Sequence, residues 1–101
     1  MIPIEKRLAF AEGLDKAMAQ AGYLGHGRLE RLRRKLQSMG LKVSKSLISY
    51  WAAGVRAPTA PDAATVLKAL EVPEFEALRL LKLIHPYVRS MDDVRAGGAW
   101  A

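Results

Sequence analysis

The sequence predicts an all-α protein: five short helices, followed by a short C-terminal helical extension. Three observations lead there. Apolar residues recur at spacings of three and four in one segment after another, the period of an amphipathic helix. Gly22, Gly40, Gly54 and the Val72-Pro73 pair stand where those segments end. Ser44 and Thr59 stand where two of them begin, with side-chain oxygens able to accept from the first free backbone N–H groups.

The first helix is expected over residues 4–21, with Leu8, Ala11, Leu14, Met18 and Ala21 facing the core. Gly13 inside it costs about 1 kcal/mol relative to alanine. Gly22 stops it, and Tyr23 to Gly27 form a loop. The second helix is expected over 28–39, with Leu29, Leu32, Leu36 and Met39 on one narrow arc. Arg28, Arg31, Arg34 and Lys35 occupy the adjoining arc as a basic ridge. Gly40 ends it, and Leu41-Lys42 bridge to the next helix.

The third helix is expected over 44–53, capped by Ser44 and stopped by Gly54. Ile48 and Trp51 share its core face. Lys45, Ser46, Ser49 and Tyr50 fall on the other sides. Val55 to Pro58 make a tight turn with Arg56 at its tip. The fourth helix, over 60–70, opens with Thr59, Pro61 and Asp62 in a capping-box-like start. It buries Ala63, Val66, Leu67 and Leu70.

The fifth helix, over 74–84, is apolar on too many sides for one buried stripe: Phe75, Ala77, Leu78, Leu80, Leu81, Leu83 and Ile84. The surplus predicts a partner, most simply a second copy meeting Leu80, Leu81, Ile84, Tyr87 and Val88. The alternative is a helix clamped between the domain and its own C-terminal segment. Pro86 ends or kinks it, and Tyr87 to Arg95 hold another short helix. On this reading residues 1–88 are one domain, and 89–101 are an extension ending in a mobile tail.

Composition narrows the function. The chain has 101 residues and no cysteine, which removes disulfides, cysteine metal sites and cysteine nucleophiles. No apolar run approaches a membrane span, and the charged start has no apolar stretch behind it. A cytoplasmic, nucleoid-associated location is expected. The two histidines, His26 and His85, have no nearby carboxylate cluster, and no nucleophile stands beside a base. Gly25-His26-Gly27 is followed by no Lys-Ser/Thr pair of the kind that completes a phosphate loop. Asp92-Asp93 reads as surface charge. No cofactor, metal or catalytic residue is expected, and an enzyme is the least favoured class.

Net charge is +6, but its placement says more. Residues 1–56 carry eleven Lys/Arg and four Asp/Glu, whereas 57–101 carry five and six. Within 28–56 eight basic residues face a single acid, Glu30. Local basic density around a capped, polar-faced helix is the footprint of a polyanion partner.

The run from Val43-Ser44 through Lys45-Ser46, Ile48, Ser49-Tyr50-Trp51 and Gly54-Val55-Arg56-Ala57-Pro58 resembles the lambda-repressor-like (Cro/C1, XRE-type) helix-turn-helix family. The resemblance covers about Arg28 to Val72, with Ala63 to Val72 in register, and looks similar to short regulators of actinobacteria and their phages. Two features depart from that pattern. Gln37 to Lys42 form an apparent insertion of about five residues, and Arg33 replaces the small residue usual inside the second helix.

The resemblance implies a five-helix lambda-repressor-like helix-turn-helix domain whose third helix enters the major groove of duplex DNA. It implies Lys45, Ser46, Ser49 and Tyr50 as base readers. Lysine donates to guanine, serine reads several edges weakly, and tyrosine meets a thymine methyl or a phosphate. Ser44, Arg28, Arg34, Lys42 and Arg56 are the phosphate candidates. The expected function is transcriptional regulation, as a repressor binding a palindromic operator as a homodimer. Two alternatives stay open. One is an antitoxin or adaptor whose protein partner binds the 75–88 face. The other is a nucleoid-type binder with little sequence preference.

Overall fold

The computed structural model describes residues 2–95. Six helices follow one another: α1 (Ile4–Gln20), α2 (Arg28–Ser38), α3 (Lys45–Ala53), α4 (Ala60–Ala69), α5 (Glu74–Ile84) and α6 (Met91–Arg95). No strand occurs among the described residues, so the protein is an all-α domain. The tail expected at the C-terminus lies outside those residues.

Local chemistry accounts for most helix ends. Ser44 Oγ accepts from Leu47 N–H at 3.0 Å, and Thr59 Oγ1 from Asp62 N–H at 3.3 Å. Each side chain thereby satisfies one of the orphan donors of a helix start. Helix α2 ends where Gly40 takes φ +91°; Leu41 N–H then reaches back to the Leu36 carbonyl at 2.9 Å. The segment from Gln37 to Lys42 therefore continues α2 through Gln37 and Ser38 and then forms a turn; residues 39–44 are not helical.

One core runs through all six helices. Its largest fully buried side chains include Trp51, Phe10, Leu14, Met18, Leu32, Leu36 and Ile48. No polar or charged side chain is buried among the described residues. Helix α1 packs on both α3 and α5, while α4 contacts α2, α5 and α6. The phase of α1 differs from expectation. Ala11, Leu14 and Met18 are buried as expected, but Phe10 and Ala17 complete the stripe, and Leu8 is 49% exposed. Leu8 lies instead against Gly54, at the end of α3.

Helix α5 corrects the expected dimer surface. Leu80, Leu81, Ile84 and Val88 are all buried within the single chain, between α1, α4 and the segment that follows. Side chains already packed in a core cannot also meet a second copy while the fold stays intact. Only Tyr87, 70% exposed, and Phe75, 83% exposed, remain large apolar surface in this region. The C-terminal extension expected after residue 88 adds to this core. Met91 and Val94 of α6 are buried in the same core as Leu67 and Leu81.

Candidate nucleic-acid interface

Helix α3 divides cleanly into two sides. Ile48 and Trp51 are buried, with Leu47 and Ala52 packed partly against them. Lys45, Ser46, Ser49 and Tyr50 are exposed. The buried side locks the rotation of the helix, so the exposed side points in one fixed direction. These four residues line one cavity of about 260 Å³, together with Leu29 of α2. The four side chains expected to act together are therefore brought together.

The ends of α3 are held as firmly as its back. Ser44 caps the start, so its hydroxyl already has one partner. At the other end Gly54 is buried with φ +75°, and Val55 N–H bonds the Tyr50 carbonyl at 3.0 Å. A Cβ added at Gly54 would lie 2.7 Å from Leu8 Cδ2 and 3.3 Å from Leu8 Cα. Glycine is thus required twice, for the left-handed backbone and for the close approach of α1. Arg7 adds a further tie: its Nε donates to the Gly54 carbonyl at 3.0 Å. Arg7 and Leu29 are contributions that sequence reasoning missed. Arg7 is separated from Gly54 by 47 positions, and no local pattern links them.

The basic residues fall into two groups. Arg28 donates to Asp15 at 2.6 Å, and Arg31 donates to the Leu24 and His26 carbonyls at 2.7 and 3.2 Å, tying down the loop before α2. Arg33 grips both oxygens of Glu30 at 2.8 and 2.7 Å, while Arg34 reaches one of them at 3.1 Å. The bidentate hydrogen bonds from Arg33, reinforced by Arg34, pull the Glu30 carboxyl down to about 2. The second group lies nearer α3. Lys42, Lys45 and Arg56 are exposed, and among the described residues none has a carboxylate partner. The Arg56 guanidinium stands over the Tyr50 ring, 5.4 Å from its centroid. Tyr50 is still 43% exposed.

Of the phosphate candidates, Lys42 and Arg56 present unpaired charge beside α3. Arg28 holds the exposed Asp15 and Arg34 the half-buried Glu30 instead. Such solvent-screened pairs contribute little to stability, so a stronger anion can displace the carboxylate. His85 Nε2 lies 2.8 Å from the Pro58 carbonyl, joining the end of α5 to the turn before α4, and His26 is exposed elsewhere. Among the described residues no group of three or more His, Asp or Glu is placed to hold a metal. No helix there is long and apolar enough to cross a membrane.

Comparison of the chain with protein-family models, with curated proteins and with solved structures returned no match.

Proposed function

We propose that the protein is a sequence-specific duplex-DNA-binding transcriptional regulator that reads the major groove with α3. One observation carries this reading. Lys45, Ser46, Ser49 and Tyr50 share one exposed side of a helix whose opposite side is fixed in the core. An α-helix with its side chains is roughly 10–12 Å across, a width the roughly 12 Å major groove admits. Its unneutralised neighbours Lys42 and Arg56 supply charge for the phosphates on either side. In this reading α2, the linker and α3 act as a helix-turn-helix unit of the lambda-repressor-like kind, with a linker longer than the resemblance implies.

Arg28 and Arg34 join the phosphate contacts by exchanging Asp15 and Glu30 for DNA. A protein of this build represses by occluding a promoter, with no ligand-binding domain required. The adaptor alternative rests on Phe75 and Tyr87, the two large apolar groups left exposed around α5.

The test is selection of bound duplexes from a random pool at physiological salt. A defined consensus is expected, with two-fold symmetry if two copies bind together. Recovery of unselected DNA would reduce the protein to a non-specific binder, and recovery of none would overturn the reading. Affinity for the selected duplex should fall steeply with salt, as counterions released from the phosphates dictate.

A further inference from the structure

Leu29 stands apart from the other residues around the α3 face. It belongs by phase to the apolar arc of α2, where Leu32 and Leu36 are completely buried. Leu29 itself is only partly buried, although it packs on that core. Its remaining surface closes the 260 Å³ cavity against Lys45, Ser46, Ser49 and Tyr50. A second cavity of about 330 Å³, bounded by the loop at His26 and by Glu30, opens on its other side, and Lys45 borders both.

Every other residue of the 260 Å³ cavity ends in an ammonium or a hydroxyl. Leu29 ends in two methyl groups. A polar base edge set against it would lose its water and gain no hydrogen bond in return. The thymine 5-methyl is the one apolar group that unmodified base pairs present in the major groove. Lys45, beside Leu29, carries the donor that suits guanine O6 and N7.

We infer that Leu29 is a specificity-determining residue of this face, the apolar wall that receives the 5-methyl group of a thymine, with Lys45 reading an adjacent guanine. The inference rests on the duplex-DNA reading above and goes beyond it. It assigns a base preference to a helix, α2, that otherwise supplies phosphate contacts. Position explains why periodicity alone hides this role. Leu29 lies in the first turn of α2, where the apolar stripe runs out from under the domain and meets the start of α3.

The experiment replaces each thymine of the selected duplex, one at a time, with deoxyuridine, which removes only the methyl group. Binding constants are then measured for the wild-type protein, for Leu29→Ala and for the volume-conserving Leu29→Met. One thymine per half-site, next to a guanine, should weaken wild-type binding by about fourfold when demethylated, the effect of one buried methyl. The same replacement should leave Leu29→Ala binding unchanged, while Leu29→Met retains most of the discrimination. If no thymine responds in the wild type, the inference fails while the DNA-binding reading stands. If Leu29→Ala keeps the full fourfold difference, Leu29 is not the wall. If no duplex is bound at all, both readings fall. The deoxyuridine series on the wild-type protein needs no variant to fold.

Discussion

Helices α3 and α5 are both short and rich in apolar residues, but they treat their outer sides differently. The stripe Ala77, Leu80, Leu81 and Ile84 of α5 is buried, and on its outer side Arg79 pairs with Glu76. Helix α3 buries Ile48 and Trp51 but leaves Lys45 on its outer side, with Lys42 and Arg56 close by, and none of these has a carboxylate partner. Apart from Phe75, the apolar excess in α5 is largely absorbed by the fold itself. Positive charge around α3 has no carboxylate partner among the described residues, so it is free to meet the DNA phosphates of the proposed function. A surplus of apolar residues on a helix is thus a weak sign of a partner, because the other helices of the same chain can cover it.

The largest expected effect tests the inward half of this contrast. Leu81→Ala should lower stability by about 2–5 kcal/mol, since a fully buried leucine leaves a cavity. Phe75→Ala, on the same helix, should shift it by less than about 0.5 kcal/mol. Urea denaturation of both variants measures the difference; equal losses would mean that Phe75 too is buried, against another copy.

Gly54→Ala comes next. It combines a left-handed backbone with a clash at Leu8 and should lower stability by about 1–3 kcal/mol. Thermal unfolding reads the loss, and DNA affinity should fall with it because the end of α3 is displaced.

Glu71 supplies a smaller effect of opposite sign. It follows α4 with φ +58°, the left-handed position that glycine usually fills, and Val72 N–H closes the motif on the Leu67 carbonyl at 3.0 Å. Glu71→Gly should raise stability by roughly 0.5 kcal/mol, the relief of backbone strain less the entropy of a more flexible unfolded chain. The midpoint of urea unfolding checks this.

Glu30 gives the smallest effect on stability. Its carboxyl titrates at about 2 in the fold, against 4.5 for the ordinary group. A lowered value means that the contribution is fully present above 4.5 and lost as pH falls from there through about 2. Glu30→Gln should flatten that part of the acid limb and lower neutral stability slightly by the same small amount, as expected of a solvent-screened pair. The same substitution releases Arg33 and Arg34, so duplex affinity should rise at low salt, the outward half of the contrast. An unchanged affinity would remove Arg34 from the phosphate contacts.

Much of the fold was legible because it is local. The caps at Ser44 and Thr59, the stop at Gly54 and the core assignment of Ile48 and Trp51 depend on residues within a turn or two of one another. The same holds for the grouping of Lys45, Ser46, Ser49 and Tyr50, which follows from helical spacing. The misreadings were all non-local. Leu8 was placed in the core and Phe10 was not, because a stripe wide enough to bury leaves its phase open until neighbours are present. Spacing alone leaves open whether Leu80, Leu81, Ile84 and Val88 meet a partner or their own chain, because it places neither α1 nor α6 over them.

Helix positions, their capped ends, the polar front of α3 and the concentration of charge around it were therefore set within short stretches of chain. They depend on hydrogen bonds and side-chain spacings that reach only a few residues. The choice between internal core and external surface was made by tertiary packing. Arg7 meets Gly54, and Leu29 comes to stand beside Lys45, only when segments remote in sequence share the same few ångströms. Burial is a property of the space between helices, and that space exists only once all six are assembled.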